Sequence, residues 1–266
     1  MDIFLVIGIV VGLLAIVVGM AVKGADVSVL MNPAAMIIIL IGTTAAVMNS
    51  FPRKEFLNIP KIIGALFREK KHEDPASIIE MIAEMSQTAR KDGLLSLEQT
   101  MQNMENPFMK KGLGMVIDGI EQEYIREVLN SEIDSMEERH RAGASVFTSA
   151  GSYAPTLGVL GAVIGLIGAL GNLNDIEKLG HMIAAAFVAT LYGIFVGYVV
   201  CHPVATRLKR KSHEEINSMR IMVEGILSIQ AGENPKSIKM KLAGMLNPKE
   251  RASIDDESKG KSNKGE

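Results

Sequence analysis

The stretch GSYAPTLGVLGAVIGLIGALG, Gly151 to Gly171, decides how the rest of the chain is read. It holds no Asp, Glu, Lys, Arg or His, and it is long enough to cross a bilayer as a helix. Gly151, Ala154, Gly158, Gly161, Gly165 and Gly168 follow at alternating steps of three and four, which places them in one row along a helix. In water so much glycine weakens a helix. In lipid, small residues let a second backbone approach closely, and van der Waals packing then holds the pair. The row asks for a neighbour, although generic packing of a membrane helix accounts for it equally well.

Working outward, the 266 residues are 48% hydrophobic and 22% charged, with mean hydropathy +0.22, which fits only if apolar and charged segments are segregated. They are. Uncharged apolar windows cover Ile3 to Val22, Pro33 to Met48, Tyr153 to Leu170 and Met182 to Val200. The predicted fold is all-α, a polytopic membrane protein with four transmembrane helices and a helical cytoplasmic domain. The first window is preceded by Met1 and Asp2 alone, without Lys or Arg, and is longer than a signal-peptide core, so it reads as a retained span. A single cysteine, Cys201, excludes an intramolecular disulfide framework and a cysteine-rich metal site. The net charge of -2 gives no basis for nucleic-acid binding.

Residues 1–50 read as a hairpin of two spans. The first carries Gly8 and Gly12 in small-residue spacing with Gly19 beyond, and Pro33 opens the second. Thr43 and Thr44 can bond back to their own helix or across to a neighbour. Past Phe51 and Pro52 come Arg53, Lys54, Lys61, Arg68, Lys70 and Lys71; past the fourth window come Arg207, Lys209, Arg210 and Lys211. The positive-inside rule puts both ends, and hence both termini, in the cytoplasm, with the links Lys23 to Asn32 and Gly171 to His181 outside.

Residues 51–150 are expected to form a cytoplasmic helical domain. Asp74-Pro75 reads as an N-cap with proline at the first helical position, followed by Ile78, Ile79, Ile82 and Met85 on one face. Gly93 reads as a stop, a short helix follows from Leu94 to Met104, and Asn106-Pro107 breaks it. Ile125, Leu129, Ile133 and Met136 form an apolar stripe in a charged helix that is expected to run on into the third span.

Residues 151–203 form the second hairpin, whose fourth span has its own small-residue row, Ala185, Ala189, Gly193 and Gly197, and is expected to end at Pro203. Residues 204–246 read as cytoplasmic helices and residues 247–266 as a disordered tail.

The spans contain no ionisable group at membrane depth. Proton relays keep such groups despite their cost, so either the chain conducts nothing or a partner helix brings the carboxylate. Thr190, mid-span, offers that partner a hydroxyl. The glycines at 158, 161 and 165 lack the spacing of a dinucleotide fingerprint and lie inside a span. No nucleophile triad or metal-ligand cluster can be assembled, His140, His181, His202 and His213 read as interfacial or solvated, and an enzyme is not expected.

The layout resembles the A subunit of the bacterial flagellar motor stator, the MotA and PomA family. SYAPTLGVLGAVIGLIGAL is similar to its proline-started third span, LGHMIAAAFVATLYGIFVGY with HPVATRLKRKS to its fourth span and exit, and ARKDGLLSLE to its rotor-facing loop. The resemblance implies a homopentamer around a MotB-like B subunit that carries a membrane aspartate and a peptidoglycan-binding domain, in the inner membrane, with no cofactor. It implies that Pro155 and Pro203 couple conformational change, that Arg90 and Glu98 engage the rotor protein FliG, and that Thr190 faces the ion path. Sodium-driven members resemble GTLIGL where this chain has GAVIGL, so Ala162, which cannot ligate a dehydrated cation, implies a proton gradient. ExbB and TolQ proton channels, which energise envelope processes, and a non-conducting scaffold are the alternatives. Without the resemblance, Arg90 and Glu98 read as an exposed charged face and Pro155 as an ordinary helix-start proline.

Overall fold

The structure is a computed structural model and describes residues 3–67, 74–248 and 251. Arg68, Lys70, Lys71 and nearly all of the expected tail lie outside the described residues. α1 covers Ile3–Val22, a short 3-10 turn Val27–Leu30, α2 Pro33–Ser50 and α3 Arg53–Phe67. α4 (Pro75–Asp92), a 3-10 turn (Leu94–Ser96), α5 (Leu97–Gln102) and α6 (Pro107–Ile117) follow. α7 runs unbroken from Gln122 to Leu170, 49 residues, and α8 covers Ile176–Ile194. A π-helical stretch, Phe195–Cys201, joins α8 to α9 (His202–Gln230), and α10 is Pro235–Ala243. Four helical stretches are long and apolar enough to cross a membrane.

The chain forms two compact units. They divide at Lys70/Lys71, Glu138/Arg139 and Lys211/Ser212, whereas the sequence suggested boundaries after residues 50, 150 and 203. The shift has a physical cause: α3 and the adjoining turns of α7 and α9 are amphipathic and pack among themselves and against α1. Leu5, Leu66 and Val204, with Ile9, Phe147 and Leu208, make that small core.

The second unit is a helical core built from the predicted periodicities. Ile78, Ile79 and Ile82 of α4, Ile125, Leu129 and Ile133 of α7, and Ile221 and Ile226 of α9 are almost wholly buried. Gly112 lets α6 sit against Ile226 and Leu129, where a Cβ would collide. Asp74 occupies the N-cap position of α4, but its side chain makes no capping hydrogen bond. Its carbonyl accepts from Ile78 N instead. Asn106-Pro107, expected as a break, is the start of a helix: Asn106 Oδ1 accepts from the amides of Phe108 and Met109 at 3.1 and 3.2 Å. The segment expected as one helix from Leu94 to Met104 is a 3-10 turn followed by α5, which ends at Gln102.

In the first unit α2 packs on α8. Gly42 meets Leu157 of α7, and Gly12 of α1 meets Val199 of the π stretch. A Cβ added at Gly8 or Gly19, although they are in the same small-residue pattern, would meet nothing within 4 Å among the described residues.

Candidate functional site

The glycine row of α7 has its neighbour within the same chain. A Cβ on Gly158 would lie 2.9 Å from the Ala189 carbonyl oxygen and 3.1 Å from Gly193 Cα. One on Gly161 would lie 3.0 Å from Ala189 Cβ, and one on Gly165 2.9 Å from Ala186 Cβ. The two backbones are in direct contact, as the absence of side chains on both faces permits. The expected row on the fourth span changes at one position. Ala186, not Ala185, meets Gly165, because steps of four outrun a 3.6-residue turn and drift around the helix. Ala185 instead presents its carbonyl to Asn32 Nδ2 of the preceding link at 3.1 Å.

Thr190 lies on this seam. Its hydroxyl reaches across to the Gly158 carbonyl oxygen at 3.5 Å, the long end of a hydrogen bond. Regular helix geometry gives that carbonyl to the amide of Ala162. Thr190 and Ala162 are thus brought to the same backbone group, and both are half-buried. Pro155 is a turn away on α7 and meets a different partner.

Pro155 is not at a helix start. It lies in the interior of α7, where its missing N–H leaves the Gly151 carbonyl without its helical donor and its ring disturbs the turn. Gly197 of the π stretch packs on this spot, with a Cβ there falling 2.6 Å from the Gly151 oxygen and 2.9 Å from Pro155 Cδ. Gly151 in turn lies under the imidazole of His202, whose ring is tilted against Tyr198 at 5.2 Å between centroids.

Pro203, expected to end the fourth span, does not end the helix. The amide of His202 bonds to Gly197 O, five residues back, and helix continues through Pro203 into α9. A wider π turn ahead of a proline makes room for the ring and spares the backbone the missing donor. Gly197 belongs to the small-residue row expected to meet the third span, but the π stretch, its seat against Pro155 and the seat of His202 were not foreseen. Their only signal was a glycine six residues before a proline on a helix facing another proline.

One further polar group in the spans went unread: Tyr192 OH donates to the Leu30 carbonyl, which ties α8 to the 3-10 turn. Of the two threonines expected to bond back or across, Thr44 Oγ1 donates to Leu40 O at 2.7 Å, whereas Thr43 Oγ1 is buried on α2 with no hydrogen-bond partner among the described residues.

The second unit carries the charged turn. Gly93 has φ +83, the left-handed region that favours glycine, and turns the chain out of α4. Ala89 and Leu97, both buried, fix the two sides of the turn, and Arg90 and Glu98 are exposed on it. Leu95 is 72% exposed between them.

Residues 100–221 match the MotA/TolQ/ExbB proton channel family, and residues 6–93 match the Motility protein A N-terminal family. The chain is 49% identical over 251 residues to Motility protein A of Bacillus subtilis (strain 168), covering 94% of this chain and 93% of that one. The chain belongs to the motility protein A family. Another relative within reach of the family is Chemotaxis protein PomA of Vibrio alginolyticus, 33% identical over 252 residues, with 95% of this chain and 98% of that one covered. Among solved structures, the flagellar MotAB stator complex from Bacillus subtilis superposes with a TM-score of 0.88 at 48% identity, covering 94% of this chain and 98% of that one. The motility protein A family and the all-α membrane fold are those that the sequence motifs implied.

Proposed function

We propose that the chain is the ion-conducting A subunit of a flagellar motor stator, coupling proton flow across the inner membrane to torque on the rotor. Membership of the motility protein A family, inside a proton channel family, supports the stator role. The observation that supports the ion path is the reach of the Thr190 hydroxyl to the Gly158 carbonyl at 3.5 Å, one helical turn before Ala162, in a pair of spans that hold no acid at membrane depth. A B subunit of the MotB kind supplies the membrane aspartate. Both termini are cytoplasmic, and several copies of the chain, a pentamer by family resemblance, surround the B subunit's helices.

In this mechanism the partner's aspartate takes up a proton beside Thr190 and releases it on the cytoplasmic side. Each change of charge alters its interactions with the seam, and the ring of A subunits steps around the partner. One elementary charge falling through the membrane potential supplies about 2.3 kcal/mol per 100 mV. Pro155, at the Gly151–Gly197 contact, and Pro203, just past the π stretch, couple the change to the cytoplasmic ends of the spans, and Arg90 and Glu98 pass it to the rotor protein FliG. Ala162 offers no oxygen to a dehydrated cation, which favours protons over sodium.

Swimming driven by this chain and its B subunit is expected to persist when the sodium gradient is removed and to stop when the proton gradient is collapsed. The opposite dependence would overturn the ion assignment. Co-purification separates the alternatives of an envelope-energising channel and a scaffold, because only a stator brings down a single-span partner with a peptidoglycan-binding domain.

A further inference from the structure

α3 lies outside the α7–α8 seam to which the ion path is assigned. Phe51 and Pro52 alone separate it from the end of α2, so Arg53 begins at the bilayer face where the second span stops. Packing fixes its other end, because Leu66 is buried in the cluster with Leu5, Ile9, Phe147, Val204 and Leu208. Leu5 is in the first turn of α1. α1 and α2 are consecutive spans joined by a short link, so the start of one and the end of the other share a bilayer face. A helix of 15 residues with both ends at one face lies along that face.

Helical spacing sorts α3 into rows. Ile59, Ile62 and Leu66 face the protein, with Ile62 Cδ1 2.8 Å from where a Cβ on Gly143 would stand. On one side of that row come Phe56, Pro60 and Ile63; on the other come Lys54, Asn58 and Lys61, all exposed. Arg53 and Leu57 point outward, and Leu57 and Ile63 are 59% and 39% exposed. The acidic residue of the helix, Glu55, is half-buried. A helix on a globular surface needs one apolar row and one polar side. α3 has a second apolar row beside the packed one, opposite its basic row. That is the order of surfaces for a helix with hydrocarbon below, headgroups and water above, and protein at its side.

We propose that α3 is an interfacial helix that binds anionic phospholipid at the cytoplasmic face of the bilayer. Phe56, Pro60 and Ile63 enter the acyl boundary, and Arg53, Lys54 and Lys61 meet the headgroup phosphates. The inference rests on the four-span reading and is independent of which ion is conducted. Because the packed row of α3 touches α1, α7 and α9, lipid bound to its other rows braces the cytoplasmic ends of those helices.

The chain contains no tryptophan, so single-tryptophan variants report without background from the chain itself, and the B subunit is used with any tryptophan replaced by phenylalanine. The full chain with its B subunit would be reconstituted into mixed phosphatidylcholine and phosphatidylglycerol vesicles, with bromine on the acyl chains of one lipid at a time. Val10→Trp, on an exposed part of α1, reports span insertion and is expected to be quenched by both lipids. Ile63→Trp is expected to be quenched, more strongly by brominated phosphatidylglycerol, and Asn58→Trp to stay bright. Lys54→Gln and Lys61→Gln should each lower the anionic preference at Ile63→Trp by up to about fivefold. Leu57→Trp serves as a second reporter of the same lipid preference where Ile63→Trp fails to fold. Quenching at Val10→Trp without quenching at Ile63→Trp overturns the proposal, whether water or a second copy of the chain covers the row. Equal quenching by the two lipids overturns the anionic preference. Loss of quenching at Val10→Trp as well overturns the four-span reading and the inference with it.

Discussion

Gly197 carries no side chain because none fits. Its neighbours are a backbone carbonyl and a proline ring, neither of which can swing aside, so Gly197→Ala must push α7 and the π stretch apart. The expected cost is about 1–3 kcal/mol, read as a lower unfolding temperature of the detergent-purified chain. Gly8→Ala is the control, since a Cβ there meets nothing within 4 Å. Thr43 should behave in the opposite way. Its hydroxyl is buried without a partner among the described residues, and Thr43→Val removes the polar atom at nearly constant shape. The same melt is expected to be unchanged or raised by the equivalent of about 1 kcal/mol. A clear fall would mean that the hydroxyl has a partner in the assembled protein.

Among the elements, the long apolar windows and the period of α4 and α7 were plain in the sequence, because burial of one stripe dictates where Ile78, Ile82, Ile125 and Leu129 must sit. The errors came where one residue type serves two ends. Asn106-Pro107 is as good a break as a start, and the structure uses it as a start, with the asparagine side chain holding two otherwise unpaired amides. Asn106→Ala is therefore expected to cost about 1 kcal/mol and to speed amide exchange at Phe108 and Met109 before the rest of the unit. Pro203 misled in the same way, since the sequence does not show that a π turn ahead of it lets the helix continue. Ala185 and Ala186 differ by one residue of drift that a step of four conceals. The meeting of Thr190 with Gly158 was half legible: the hydroxyl and the glycine row could be named, but their register could not.

At the scale of the whole molecule, one unit carries the four apolar stretches, with its charges kept to their ends and links, and the other is held by ion pairs as well as by its core. Glu224 is central to those pairs. Burial pushes its carboxyl up, but hydrogen bonds from Arg126 at 2.8 Å and from Lys241, with their charges, outweigh that and hold it below the ordinary 4.5. The stability this contributes is full above the ordinary glutamate value and is lost as pH falls through the lower folded value. The unfolding temperature should accordingly drop on acidification below about pH 4.5, and Glu224→Gln should start lower and show a shallower drop over that window. The π stretch sets a different kind of limit. By widening one turn it changes the phase in which every later residue of α9 leaves the helix, and Val204 and Leu208 meet Leu5 and Leu66 only in that phase. Substitutions between Phe195 and Cys201 leave the phase alone, but removal of a single residue there would turn the Val204–Leu208 row away from its partners. Gly197 apart, variation in this segment is thus constrained in length more strictly than in identity.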